Sequence, residues 1–379
     1  MNKDMQNLQP TKKLFDIIIV GGGLSGLMAA YEIQRLLPKV SWTLLEARDV
    51  LGGRLTNDEL GHSIDLGGAW IWPRFQPHMR NLTSSLKLQT FLQPDDPSAT
   101  RIDGGAVQYI HSIVKALPSD RILRSSPVAS CTYLSDFDLK KEVLDMIPKS
   151  DSQKHEPSII QLTTTANEQF FARRVIMAVP PKILSRHVQF TPPLTESKQR
   201  AMDACHTWMA GVTKVSLVFP TRFWTNDCSN IGLQRGPAFH VYDASPKDGS
   251  TFALTFFTLV PFNSPAKNDD SKLAEQISSQ LQEAWESIDF PHASQVKSYS
   301  QVHVKRWPAE GYIAEDPKPT KIHPHPHPIP NLSTNEWNNQ LLFAGSETDT
   351  TSPGVMEGAV AAAIRCVQRL VRDLKEDYK

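Results

Sequence analysis

Apolar residues fall in short runs along the chain rather than in long ones. Leu14 to Val20 is a β-branched run that meets a glycine cluster at once, Leu24 to Leu37 has helical spacing until Pro38 stops it, and Trp42 to Glu46 is a second strand-like run. This is a βαβ opening, and it predicts parallel strands joined by a right-handed crossover. Further strand signals lie at Val175 to Val179, closed by Pro180 and Pro181, and at Leu341 to Ala344, closed by Gly345. The last of these leads into a helix from Val355 to about Leu374, where Ala359, Ala362 and Ala363 give a small-residue face for close packing.

Between the pieces of this sheet lies different material: a polar stretch from Ser135 to Ser158, then Met202 to Phe219, strand-like Thr251 to Val260, and a helix pattern over Lys272 to Ile288. A second domain is therefore interleaved with the first. Residues 317–330 are proline-punctuated and carry His323, His325 and His327. In a polyproline II run, side chains at i and i+2 do not share a face, so the segment reads as a solvated connector and no metal is expected.

Composition narrows the function classes. Forty basic and forty acidic residues leave no net charge, so bulk nucleic-acid binding is disfavoured. The four cysteines lie far apart, which fits neither a disulfide framework nor a cysteine-ligated metal. No window approaches the roughly 18 apolar residues of a membrane helix. Neither a signal peptide, a tail anchor nor a lipidation motif is recognisable, so the cytoplasm is the default expectation.

The sharpest local signal is Gly21-x-Gly23-x-x-Gly26, after a strand and at the opening of a helix. The first glycine permits the turn, the second lets a pyrophosphate approach the backbone, the third lets helix pack on strand, and the helix N-terminus supplies free N–H groups. Glu46 follows Gly26 by twenty residues (46 − 26), the distance expected of an acid that bonds a ribose. Together these predict dinucleotide binding.

Glu46-Ala-Arg48, Leu51-Gly52-Gly53-Arg54 and Asp65-Leu-Gly67-Gly68-Ala69-Trp70 go beyond a nicotinamide fingerprint. These blocks, with Phe343-Ala-Gly345-Ser346-Glu-Thr and Gly354-Val355-Met356-Glu-Gly-Ala, resemble in order the flavin-containing amine oxidase family, which includes monoamine and polyamine oxidases. The resemblance implies an α/β protein in which a Rossmann-like FAD-binding domain of the glutathione reductase type (14–86, 101–203 and 308–375) is interleaved with a smaller α+β substrate domain (87–100 and 204–307). It further implies noncovalent FAD, because Glu315-Asp316-Pro317 stands where monoamine oxidases carry the flavin-bonding cysteine. The cofactor contacts implied are Gly21, Gly23, Ser25, Gly26, Glu46, Arg48, Gly53, Arg54, Gly67, Gly68, Ala69, Trp70, Val128, Trp307, Gly345, Ser346, Gly354, Val355 and Met356. Physically, Arg54 can offset pyrophosphate charge, and the helix after Gly354 can stabilise negative charge gathering on the flavin. Alone, Gly67-Gly68 would read as a turn and Trp307 as a core residue.

Met209 to Phe219 resembles the family's strand bearing the active-site lysine. Alternation puts Val212, Lys214, Ser216 and Val218 on one face and Val215, Leu217 and Phe219 on the other. On pattern alone Lys214 could equally snorkel to water. The resemblance implies that it holds a water at flavin N5. It also implies hydride transfer from an amine to N5, reoxidation by O2 with release of H2O2, and hydrolysis of the imine.

Two departures bear on substrate. Val355 replaces one of the two aromatics that sandwich the amine in monoamine oxidases, and its counterpart near Asp316 and Pro317 is not recognisable, which leaves Trp70, Trp72 and Trp208 as substitute walls. The long helical segment of the substrate domain is reduced to Leu88 to Thr100, which predicts a shallow, wet cavity, with a homo-oligomer as one route to a completed wall. Alternatives left open are a flavin desaturase or isomerase acting on C–C bonds, and a non-catalytic flavin-binding protein.

Overall fold

A computed structural model describes residues 13–135, 158–226, 231–261, 263–314 and 323–377. Most of the polar stretch after Ser135, Cys228 and the segment Glu315-Asp316-Pro317 lie outside these residues.

The βαβ opening is present as β1 (Leu14–Val20), α1 (Leu24–Leu36) and β2 (Trp42–Leu45). β1 is central because both its faces are buried by helices and loops, which is why it reads as a continuous apolar run rather than an alternating one. It pairs in parallel with β2 on one side and with β9 (Gln169–Met177) on the other. β6 (Ile122–Leu123) continues the parallel array beyond β2, and β15 (Leu341–Phe343) adds to the end of β9. β7 (Val128–Leu134), β8 (Ile159–Thr164) and β10 (Gln189–Thr191) extend the sheet past β9, giving the order β10-β7-β8-β9-β1-β2-β6 with β15 beside β9.

One face of this sheet is covered by α1, α2 (Pro77–Ser85), α3 (Val107–Lys115) and the long C-terminal helix α7 (Met356–Asp377). Ala359, Val360, Ala363 and Val367 of α7 share a core with Leu27, Ala30 and Ile33 of α1 and with Ile17 and Ile19. The small residues let α1 and α7 lie close together, as the sequence pattern anticipates. The opposite face buries Ile18, Val175 and Met177 against α4 (Pro181–His187) and α5 (Glu196–Ala204).

The second sheet is antiparallel, in the order β12-β13-β11-β14, with β11 at Thr213–Phe219, β12 at Ala238–Asp243, β13 at Phe252–Thr258 and β14 at Gln301–Arg306. Its outer face carries Val215, Leu217 and Phe219, which pack on Leu273, Ile277, Leu281 and Trp285 of α6 (Asp270–Glu286). Its inner face carries Lys214, Ser216 and Val218. The strand alternation expected from sequence is therefore realised, with both faces of β11 buried.

A third, small sheet joins the two: β3 (Trp70–Ile71) pairs with β5 (Asp96–Ile102), which forms a hairpin with β4 (Thr90–Gln93). The hairpin occupies the position of the reduced helical segment. Arg101, 1% exposed, donates from it to the carbonyls of Ala244 and Ser245 at 3.1 and 3.0 Å.

Candidate active site

A cavity of about 620 Å³ runs from the β1–α1 turn to the inner face of the second sheet. Its first end is built as the glycine spacing predicts. Gly21 has φ +106, a conformation that side chains disfavour, and a Cβ on Gly26 would stand 1.8 Å from the Gly21 carbonyl. Helix α1 can approach β1 only because position 26 has no side chain. Gly23 faces Gly53, with room for a Cβ but nothing to fill it, so backbone lines the cavity on both sides there. Ser25 donates its hydroxyl to the Ala344 carbonyl, tying α1 to the end of β15.

Glu46, at the tip of β2, is held by two backbone amides: Gly22 donates to its Oε2 at 2.6 Å and Arg48 to its Oε1 at 2.9 Å. Arg48 is paired with Glu310 at 3.1 Å and donates to the Gly53 carbonyl at 3.0 Å. Arg54 lines the cavity, yet its guanidinium turns to Glu347 at 2.8 Å and donates to Ser346 Oγ at 2.7 Å. Its charge is thus already matched by a carboxylate with no exposed side-chain surface.

Gly67, Gly68, Ala69, Trp70, Val128, Trp307, Gly345, Ser346, Gly354, Val355 and Met356 all line the same cavity. Of the cofactor positions named from sequence, only Gly26 packs behind the wall. Trp307 is buried as a core tryptophan would be, 5% exposed with its Nε1 donating to the Leu66 carbonyl at 3.0 Å, and it also lines the cavity. A long cavity with glycine backbone at one end, an oriented carboxylate beyond β2 and a helix start at the other wall fits FAD.

Lys214 stands at the far end, 3% exposed. Its Nζ donates to the Gly67 carbonyl at 2.6 Å, to the Asp65 carbonyl at 3.3 Å and to the Tyr242 hydroxyl at 3.2 Å. The rings of Phe257, Tyr242 and Trp70 surround it at 4.7, 5.4 and 5.8 Å. Burial pushes its pKa down to about 7; the Asp65 carboxylate opposes that fall and the Arg101 guanidinium adds to it. Asp65 is itself buried, accepts from the Ala106 amide at 2.7 Å and lies 3.8 Å from Arg101, and burial holds its carboxyl above the usual range.

Trp70, Trp72 and Trp208 all line the cavity, joined by Phe75, Phe257 and Tyr312, which sequence reasoning did not find. Phe75 is 70% exposed, so the cavity opens to solvent at the start of α2. Where it is described, the histidine-proline run is largely exposed, with His325 and His327 among its exposed residues, as a solvated connector should be, and it makes ring contacts that its spacing does not announce. His323 stacks on His206 at 3.8 Å, His325 meets Trp208 edge-on at 4.7 Å and lines the cavity, and Pro326 lies against Gly354. These ring contacts lay the run beside His206 and Trp208.

Comparison with known proteins adds an independent line. The family model described as flavin containing amine oxidoreductase matches residues 135–371, and an NAD(P)-binding Rossmann-like domain matches residues 19–86. The chain is 23% identical over 59% of its length to human "Lysine-specific histone demethylase 2", covering 28% of that protein. It is 37% identical over 23% of its length to bovine "Amine oxidase [flavin-containing] A", covering 17% of that protein. The chain thus spans well under a third of these curated relatives. A putrescine oxidase solved with putrescine superposes with a TM-score of 0.71 at 17% identity, covering 95% of this chain and 100% of that one. Cyclohexylamine oxidase from Brevibacterium oxydans superposes at 0.69 and 16%, covering 95% and 99%.

Proposed function

The chain belongs to the flavin-containing amine oxidoreductase family, and from that premise we propose that it oxidises the C–N bond of a primary or secondary amine with apolar substituents. The observation that carries this reading is Lys214, a buried amine bonded to the Gly67 carbonyl at the end of a cavity whose other end is a dinucleotide turn. FAD held there would supply a hydride acceptor for the amine and pass the two electrons to O2 as H2O2, and water would hydrolyse the released imine to a carbonyl compound and the free amine or ammonia.

The chain's own residues supply orientation and charge control. Glu46 is preset by the amides of Gly22 and Arg48 to receive ribose hydroxyls without further ordering. The N-terminal turn of α7, beginning at Met356, presents partial positive charge to the cavity, which favours a reduced, anionic cofactor. With its proton affinity lowered, Lys214 in its neutral form has a lone pair that can accept from a water near neutral pH, where an ordinary lysine could only donate.

The substrate class follows from the lining. Glu46 is the only carboxylate among the described residues lining the cavity, and it is already engaged at the dinucleotide end. Among the described residues no further acid is placed to hold the distal ammonium of a diamine, whereas Trp70, Trp72, Trp208 and Phe257 offer rings to an aryl or alkyl tail. The test is anaerobic titration of the flavin-loaded protein, followed by a peroxide assay with arylalkyl, cycloalkyl and diamine substrates. Bleaching and peroxide release with the apolar amines, at kcat/KM at least about tenfold above diamines, are expected. Bleaching by an alkene or cyclic ketone without peroxide would support C–C chemistry instead, and a yellow protein bleached by nothing would support a binding role.

A further inference from the structure

On the side of the second sheet away from β13, a loop from the first domain meets β14. The loop between Arg54 and Gly67 is closed by a bridge between Asn57 and Asp65, and the Asp58 amide donates to the Ile64 carbonyl at 3.0 Å. Asp58, 6% exposed, accepts from the Ile64 amide at Oδ1 and from the His62 amide at Oδ2, both at 2.9 Å. Its Oδ2 also lies 3.1 Å from His62 Nδ1. A loop-closing role therefore accounts for Asp58 and His62. It does not account for His303 on β14, which is 8% exposed, meets the His62 ring edge-on at 5.3 Å, and has a buried Nε2 with no hydrogen-bond partner. Such an orphaned polar atom is costly and calls for an explanation.

One potential ligand atom from each of Asp58, His62 and His303 lies within 4.8 Å of the other two. We infer that these three residues form a site for one zinc-class transition-metal ion that joins the 58–62 loop to β14. Two imidazoles and one carboxylate suit Zn²⁺ or Co²⁺ and are poorly matched to Ca²⁺ or Mg²⁺, which take oxygen ligands. Bonds of roughly 2.0–2.1 Å in a tetrahedron put ligand atoms about 3.4 Å apart, so closure from 4.8 Å needs side-chain movement of roughly 1.4 Å at most. His62, with 22% of its side chain exposed, leaves a path for entry and for a water as fourth ligand. The ion would brace the cavity wall between Arg54 and Gly67 against the strand paired with β11. The sequence gives little sign of it, because His303 is 241 residues from His62 (303 − 62).

Equilibrium dialysis and calorimetry on the FAD-loaded full chain, stripped with a chelator and titrated with Zn²⁺ and then Co²⁺, test this directly, and neither reads turnover. One ion per chain and a raised thermal midpoint are expected. His62→Ala with His303→Ala should weaken that binding at least tenfold and abolish the thermal shift, and His303→Gln should do the same if the double variant does not fold. A variant with His323, His325 and His327 all changed to alanine should retain the high-affinity ion, which separates this site from surface histidines. Absence of stoichiometric binding, or undiminished binding in the His303 variants, would overturn the assignment.

Discussion

The ammonium of Lys214 reaches from β11 to the backbone carbonyl of Gly67 across 2.6 Å, so the second sheet and the 67–70 turn are fastened at the point where the cavity ends. Lys214→Met keeps much of the side-chain volume inside the cup of Phe257, Tyr242 and Trp70 while removing the amine. We expect FAD to remain bound and turnover or reoxidation to slow at least tenfold, a change of about 1.4 kcal/mol or more in barrier. Stopped-flow reduction and reoxidation separate the two half-reactions, and unchanged rates in both would exclude a role for the amine.

Gly26→Ala should abolish cofactor loading. The added Cβ would sit 1.8 Å from the Gly21 carbonyl, and the obstacle is backbone rather than a side chain that can swing away. Overpacking of this kind costs about 1–3 kcal/mol, and relief requires α1 to move off β1. The ratio of flavin to protein absorbance in purified variant and parent checks this.

Arg54→Ala should destabilise the fold by about 3 kcal/mol. It strips the partner from Glu347, whose side chain is fully buried, and only the Ser346 hydroxyl, donating at 2.9 Å, remains to compensate. Arg54→Ala combined with Glu347→Gln should recover part of that loss. Urea unfolding of the three proteins measures it.

Stability should rise with pH above neutrality. Burial pushes Lys198, held by the carbonyls of Leu332 and Thr334, down to about 7, against an ordinary 10.5. Between those values the unfolded chain binds the proton and the folded chain does not, so unfolding takes up a proton and becomes harder as pH rises. The slope from one such group is at most about 1.4 kcal/mol per pH unit. Urea midpoints from pH 7.5 to 9 should show the rise, and Lys198→Met should reduce its slope, with Lys214, also pushed down to about 7 by burial, supplying the remainder.

Elements with strong local signals were readable from sequence. β1, α1 and β2 announce themselves by a β-branched run, a glycine turn and a proline stop, and the alternation in β11 places Lys214 on the correct face. Groups that act through distant partners were not. Tyr242 and Phe257 reach Lys214 only because β12, β13 and β11 are neighbours, an order that the separate runs do not encode. The sequence offers Arg54 as a group that can offset pyrophosphate charge, and nothing near it reveals that Glu347, nearly three hundred residues on, pairs with it. The histidine-proline run is exposed as its composition suggests, but its periodicity describes an isolated helix of that type and gives no sign that His323 stacks on His206 or that His325 meets Trp208.

The cavity draws its wall from residues as far apart as Val20 and Ala359, and the Ser25 hydroxyl meets the Ala344 carbonyl only once β15 lies beside β9. A nascent chain therefore has no place to keep a nucleotide until its late segments have emerged and docked. Yellow colour in a preparation would then report finished assembly, and a substitution that merely loosens α7 from α1 should yield a pale product even though the opening βαβ unit is intact.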